Sequence, residues 1–327
     1  MTNRILNWGL LSTANINGAL IPPLNASKRN RLLAVASRSQ STAEAYARDW
    51  KIPRALGSYE AMLGDSEIDV IYNSLPNHLH AEWTIKALRA GKHVLCEKPF
   101  ALTLAEADAM IAASKETGKV LAEAFMYRHH PQTLKVKEMV DKGKLGNLQT
   151  FRGAFTFTLT RKNDIRTKIE TGGGSIWDVG CYPISYARTM MGSEPVEAFG
   201  WQVKGASGTD DSFFGQLRFS KERYAQFDCG FISPSRAQVE IIGAGGTLNI
   251  PDPFKPGIDE KIYITQAGRT KTIKIKGREL YIGEVEDMAD AILLGKPTRV
   301  TLADSRNNTA AILALIESAQ TGKPVHL

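Results

Sequence analysis

The 327-residue chain reads as an α/β protein in two parts. Residues 1–125 suit a doubly wound parallel sheet, and residues 126–327 an α+β region built on a large, mostly antiparallel open sheet. Three observations predict this. Up to residue 125, short apolar runs alternate with helical stretches, the pattern of a parallel sheet covered on both faces. From Leu148 the apolar period becomes two, with Phe151, Gly153, Phe155 and Phe157 in alternate positions. Beyond that point strand-like runs follow one another with few helices between, joined by Gly, Pro, Ser and Asp turns.

Residues 5–11 form the first apolar run and lead into Ser12-Thr13-Ala14-Asn15. A helix is expected from 16 towards 26, interrupted or kinked by Pro22 and Pro23, which cannot donate backbone hydrogen bonds. A second strand at 32–36 ends at Ser37-Arg38, and 42–50 is a helix rich in strong helix formers. A third strand at 68–73 precedes a helix at 81–90 closed by Gly91. A strand at 94–96, a helix at 104–117 and a strand at 120–124 complete this half. In the second half strands are expected at 196–203, 213–219, 223–232, 236–242, 246–250, 261–266 and 270–275, and helices at 284–294 and 303–320.

Composition is that of an ordinary soluble protein, and no apolar run approaches the roughly 18 residues that cross a bilayer. The start, Met1-Thr2-Asn3-Arg4-Ile5-Leu6, enters a strand without a signal-peptide layout. Cys96, Cys181 and Cys229 are odd in number and widely spaced, which points to a reducing compartment, the cytoplasm by default. Net charge is +7, but its densest group, Lys135, Lys137, Lys142 and Lys144, is interleaved with Glu138 and Asp141 as on a solvated helix face. Neither a nucleic-acid nor a membrane partner is indicated, while a mild positive excess suits a small ligand bearing phosphate.

Gly9-Leu10-Leu11-Ser12-Thr13-Ala14 is a degenerate G-x-G-x-x-G/A between a strand and a helix. Gly9 would serve the tight turn and Ala14 close helix–strand packing, but Leu11 stands where a glycine lets the backbone approach a pyrophosphate. The stretch is either a dinucleotide-binding turn or a plain βα turn. The second strand ends in Ser37-Arg38, where NAD sites place a carboxylate. Arg38 is either an exposed loop residue or a clamp for a 2′-phosphate, which favours NADP if a dinucleotide binds.

Lys98 lies in Glu97-Lys98-Pro99, where the short strand must end because Pro99 cannot donate to a ladder. It is a solvated lysine, or it stands at the carboxyl edge where open α/β sheets bind ligands. In Leu75-Pro76-Asn77-His78-Leu79-His80 a capping or turn role suits Asn77 and His78 better than metal binding, and His129-His130 gives no metal signal either. In Gly172-Gly173-Gly174-Ser175-Ile176-Trp177-Asp178-Val179-Gly180-Cys181-Tyr182-Pro183, the glycines would let a backbone pass close to a ligand. Ser175-x-x-Asp178 reads as a capping box, putting Asp178 and Tyr182 on one helix face unless Pro183 disturbs the register.

Together these pieces, with Glu123-Ala124-Phe125-Met126-Tyr127-Arg128, resemble the glucose–fructose oxidoreductase / inositol dehydrogenase / MocA family, whose first domain has a Rossmann fold. Tyr182, where many members carry His, and Asn163-Asp164-Ile165-Arg166 resemble the branch of dihydrodiol dehydrogenases, NADP-linked xylose dehydrogenases and aldose oxidoreductases. The resemblance implies that Gly9, Ser12, Thr13, Ala14, Asn15 and Ile16 hold a pyrophosphate, and Ser37 and Arg38 a 2′-phosphate. Leu75, Pro76, Asn77 and His80 would line the path to the nicotinamide, with Glu97, Lys98 and Arg128 around it. Lys98 and Tyr182 would be an acid/base pair, and Asp178 and Arg166 would orient a sugar. Many relatives carry a Lys beyond the Ser-Arg pair where this chain has Thr42, so NAD stays open beside NADP.

The chemistry is coherent. A phenol with a pKa of about 10 is a poor base near neutrality, and a neighbouring ammonium favours its phenolate. The resemblance therefore implies an NADP-preferring oxidoreductase acting on an aldose or related polyhydroxylated carbonyl compound. Its rivals are an oxidoreductase of keto-sugars or trans-dihydrodiols, and a cofactor-binding sensor without turnover. One face of the large sheet, with Phe155, Phe157, Trp201 and Phe214 as candidates, would be an apolar patch if bare. Relatives use that face for assembly, which implies a homodimer or homotetramer.

Overall fold

The computed structural model describes residues 4–161 and 163–327. The lead-in at Met1 to Asn3 lies outside the described residues. The chain divides into two compact units, Met1–Met126 with Tyr281–Arg306, and Tyr127–Leu280 with Asn307–Leu327.

The first unit runs β1 (Leu6–Leu10), α1 (Asn17–Ala26), β2 (Asn30–Ala36), α2 (Gln40–Trp50), β3 (Arg54–Leu56), α3 (Tyr59–Gly64), β4 (Val70–Asn73), α4 (His80–Arg89), β5 (His93–Glu97), α5 (Leu104–Thr117) and β6 (Leu121–Ala124). All pairings in its six-stranded sheet are parallel, in the order β3-β2-β1-β4-β5-β6. The order reverses direction between β1 and β4, so the crevice for a ligand lies beyond the carboxyl ends of those strands. β4 is buried along its whole length, as expected of a central strand covered on both faces. α5 starts with a full capping box, Thr103 with Glu106, and ends at left-handed Gly118.

Sequence and structure part company at three places here. β3 and α3 are short, three and six residues, and carry too little periodicity to be read. α1 is not interrupted: it continues through Pro22 and Pro23, held by buried Leu20, Ile21 and Leu24. Gly9 does not make a tight turn. It pairs within β1, and a Cβ there would lie 2.3 Å from Met62 Sδ, so the missing side chain makes room for α3.

The second unit contributes α6 (Pro131–Asp141), β7 (Leu148–Thr158), α7 (Cys181–Met191), β8 (Pro195–Lys204), β9 (Asp210–Phe219), β10 (Arg223–Gly230), β11 (Ile232–Gly243), β12 (Gly246–Pro251), β13 (Asp259–Gln266) and β14 (Arg269–Lys276). α8 (Ile282–Leu294), α9 (Leu302–Thr321) and β15 (Val325–His326) follow. The nine-stranded sheet has the order β14-β13-β12-β11-β7-β10-β9-β8-β15, antiparallel except where β7 meets β10. Lys135 and Lys137 on α6, and Lys142 just after it, form ion pairs with Glu138 and Asp141, a solvated face.

α7 covers one face of this sheet. Phe151 packs on Tyr186, Phe155 on Tyr182, and a Cβ at Gly153 would stand 3.0 Å from Pro183. Phe155 is therefore on the helix side, not on the open face where it was expected, and Phe157 packs on Phe231. Trp201 and Phe214 do face outward, 53% and 45% exposed. They flank an open concavity of about 710 Å³ whose mixed lining includes Arg152, Gln216, Gln238 and Glu240 beside Ala154, Val239 and Ile250. At one edge, β14 pairs only with β13 and exposes Arg269, Lys271, Lys274 and Lys276.

α8 belongs to the first unit by specific bonds. Arg29 donates to Glu286 and, at 2.6 Å, to Asp290; the start of α9 is held likewise, with Arg306 forking onto Asp108 at 2.6 and 3.0 Å. Among the described residues no helix is long and apolar enough to cross a membrane.

Candidate active site

The β1–α1 turn is shaped by a buried polar cluster. Ser12 and Ser74 hydroxyls lie 2.8 Å apart, Ser74 donates to Asn17 Oδ1 at 2.6 Å, and Asn17 Nδ2 donates to the Ser12 carbonyl at 2.7 Å. Ser12 Oγ also accepts from the Ala14 N–H at 3.1 Å. The turn thus leads into α1 at Ile16, which supplies no side-chain cap, so the helix start can face an anion. Thr13, Ala14 and Ile16 are half-buried around it, and Asn15 is exposed. At the end of β2, Ser37 is buried, and Arg38 is exposed with its charge near the Tyr59 hydroxyl. Ser39 caps α2 through the Thr42 N–H.

His80 is fully buried between two loops. Its Nε2 lies 2.8 Å from the Leu75 carbonyl and its Nδ1 2.8 Å from the Pro99 carbonyl. It therefore ties the Leu75-Pro76-Asn77 stretch to the Lys98 loop instead of offering a ring face. A neutral imidazole can donate to only one of these oxygens. Burial is the stronger influence and pushes the ring down to about 4, against the two carbonyls, which favour the proton. Pro76 and Asn77 are half-buried, and Asn77 and His78 lie in a single 3-10 turn, the local role read for them.

Lys98 follows β5, half-buried, and its peptide bond to Pro99 is cis. Glu97 accepts the Lys98 N–H at 3.2 Å and also the buried Tyr72 hydroxyl. Burial, then the charges of Glu97 and Glu284, hold that phenol well above its ordinary value, so it remains the donor. Glu123 accepts the Phe100 N–H at 3.0 Å. Carboxylates from neighbouring strands thus brace the loop on both sides of Lys98.

In the second unit Arg166 Nε donates to Asp178 Oδ2 at 2.7 Å, and Nη1 to Asp164 Oδ1 at 3.2 Å. Burial opposes the Arg166 charge, but Asp178 and Asp164 outweigh it and raise the guanidinium. Tyr182 is 4% exposed, its ring set among Tyr127, Phe155 and Phe254. Arg128 reaches the Ser185 hydroxyl at 3.1 Å, which Tyr127 also contacts at 2.9 Å.

Two local readings change. The segment Ile176–Gly180 is a π-turn feeding α7, and it has no side-chain cap. Ser175 does not form a capping box with Asp178, because its hydroxyl donates to Asp210 at 2.5 Å instead. The π-turn absorbs the register change ahead of Pro183, which lacks an N–H to give. The glycines serve protein packing: a Cβ at Gly173 would lie 2.5 Å from the Arg166 carbonyl, and at Gly174 2.2 Å from Asp210 Oδ1.

The profile described as "Oxidoreductase family, NAD-binding Rossmann fold" matches residues 6–125, and the "GFO/IDH/MocA C-terminal domain" matches residues 133–249. The chain is 35% identical to a D-xylose 1-dehydrogenase (NADP(+)) of Haloferax volcanii, over 98% of this chain and 99% of that protein. This chain belongs to the GFO/IDH/MocA family. Among solved structures it resembles a 3-ketoreductase from Actinomadura kijaniata in complex with NADP and TDP-benzene, with a TM-score of 0.91 and 28% identity over 96% of this chain and 98% of that one. An aldose-aldose oxidoreductase from Caulobacter crescentus complexed with glycerol gives a TM-score of 0.92 and 26% identity, over 99% and 100%.

As a GFO/IDH/MocA oxidoreductase the chain is expected to hold a nicotinamide dinucleotide, and its residues fit one. The uncapped start of α1 suits the pyrophosphate, and Ser37 and Arg38 stand at the end of β2 without a carboxylate to repel a 2′-phosphate. Sequence reading missed Asn17, Ser74, Tyr72 and Asp210, whose partners are distant in the chain. Asp164 did leave a signal, two residues before Arg166 in the stretch that resembles one branch of the family.

Proposed function

We propose that the chain is an NADP-preferring oxidoreductase of an aldose or a related polyhydroxylated carbonyl compound. NADP, when bound, takes up or gives the hydride. Tyr182 takes the proton from, or returns it to, the substrate oxygen, and the Lys98 ammonium favours its phenolate. Asp178 accepts a hydrogen bond from a neighbouring sugar hydroxyl, and Arg166 fixes the angle of that carboxylate. Glu97 restrains the Lys98 backbone. The observation that carries the reading is the 2.7 Å pair of Arg166 with Asp178, an oriented acceptor on the turn that leads into Tyr182. Similarity to a xylose dehydrogenase and to an aldose-aldose oxidoreductase supports the substrate class.

NADP(H) turnover across a panel of sugars, with wild type, Lys98→Met and Tyr182→Phe, tests this. Each variant is expected to lose roughly 100-fold or more in kcat. Full activity in both would sink the assignment. Likeness to a 3-ketoreductase supports a second reading, reduction of a keto-sugar, and initial rates in both directions separate the two. Tight NADP binding with no turnover of any carbonyl or diol would favour a sensor.

The outer face of the nine-stranded sheet is the surface we assign to self-association, as a homodimer or homotetramer. The exposed Trp201 and Phe214 beside a concavity support it. Cys96, Cys181 and Cys229 are all buried thiols, which suits a reducing compartment such as the cytoplasm.

A further inference from the structure

Asp210 is a carboxylate that the reaction above does not use, and it is 7% exposed. It stands at the start of β9, and its Oδ2 accepts from Ser175 Oγ at 2.5 Å and from the Ile176 N–H at 2.8 Å. These donors open the π-turn that carries Asp178 and continues into Tyr182, a turn without a side-chain cap of its own. Gly174 keeps the space clear: its φ is +125°, and a Cβ would lie 2.2 Å from Asp210 Oδ1. A neighbouring strand therefore supplies the acceptor that a local cap normally provides.

We propose that Asp210 is a positioning residue, whose carboxylate sets the start of this turn and through it the placement of Asp178 and Tyr182. The importance of that placement rests on the proposed roles of those two residues. Burial, the largest influence, pushes the Asp210 carboxyl up to about 6, while the Ser175 hydroxyl and the backbone N–H groups of Ile176, Asp210 and Ser175 hold it down. The ionisable group beside it is Cys229 on β10, 3.6 Å from Ser175 Oγ, whose thiol also feels Cys181 of α7 and Asp228. Burial first, and then the charge of Asp210, keep the Cys229 thiol protonated. Protonation of Asp210 replaces an anionic acceptor of two donors with a hydroxyl that needs an acceptor itself.

The test is a pH titration, from 5 to 8, of the full chain labelled with 15N-isoleucine and 13Cζ-tyrosine. Signals are assigned with Ile176→Val and Tyr182→Phe. The Ile176 amide and the Tyr182 ring are expected to titrate together with a midpoint near 6, and neither to do so in Asp210→Asn. Ser175→Ala removes one donor and should move the midpoint up by about one pH unit. A flat Tyr182 signal, or a midpoint unmoved by Ser175→Ala or surviving in Asp210→Asn, overturns the proposal. If Asp210→Asn does not fold, Ser175→Ala still decides. In kinetics, an acid limb of kcat/KM near pH 6 should vanish in Asp210→Asn, and its survival also overturns the positioning role. Absence of turnover with every sugar would defeat the proposed reaction, while the titration would still judge Asp210.

Discussion

His80 is pinned between the Leu75 and Pro99 carbonyls, and that position makes it a pH-sensitive fastening. Its pKa in the folded chain is about 4, below the 6.5 of an unperturbed ring. The folded state then binds fewer protons than the unfolded state between those values. Stability from His80 is present above pH 6.5 and lost as pH falls towards 4, by about 3 kcal/mol in all. His93, also held near 4 by burial and then the Lys119 charge, adds to the acid loss. Urea midpoints at pH 5 and pH 8 for wild type and His80→Gln isolate the first contribution. The variant should be less stable at pH 8, and its two midpoints should lie closer together. Equal pH dependence in both proteins would refute the role. Asp210 runs the other way, since its raised carboxyl contributes stability below pH 4 that is lost as pH rises through 6.

The turn from Gly172 to Gly180 shows what a sequence conveys about an element and what it withholds. A glycine run before Asp178 was legible as a special backbone, but its reason was not. Gly174 needs both a φ of +125° and the space occupied by Asp210, whereas Gly192, which ends α7 at φ +64° with open space where a Cβ would stand, needs only a left-handed residue. Gly192→Ala should therefore cost roughly 1–2 kcal/mol, and Gly174→Ala clearly more, because backbone strain and a carboxylate clash coincide. Thermal unfolding of the two variants checks this, and a Gly174→Ala protein as stable as Gly192→Ala would refute it. The capping-box reading failed because the acceptor for Ser175 comes from Asp210, 35 residues later. Lys98 was legible for the opposite reason: Pro99 follows it directly, so a local rule identified the strand end. The parallel strands were readable because burial on both faces leaves short apolar runs, while three-residue β3 leaves no such trace.

At the scale of the molecule, the antiparallel half was read from period two alone, strand by strand. That pattern could not say which face the helices cover. Phe155 and Phe157 share a parity with Phe151, and α7 settles on that side, so only Trp201 and Phe214 of the expected set remain outside. If the outer face joins copies, replacing Trp201 and Phe214 together by Glu should leave a folded particle near 35.9 kDa by light scattering, where wild type gives twice or four times that mass. A wild type already monomeric would refute the assembly.

The lysine-bearing strand at the sheet's margin has a consequence for how such a particle can grow. Sheets that meet rim to rim can extend without limit, because each newcomer presents a fresh rim. Here one rim is β14, with Arg269, Lys271, Lys274 and Lys276 repelling its own likeness, and the other is β15, a strand of two residues. If copies join through the broad surface instead, that surface is covered, and neither rim offers a route to open-ended growth. Both rims thus oppose polymerisation, however many copies the broad surface joins.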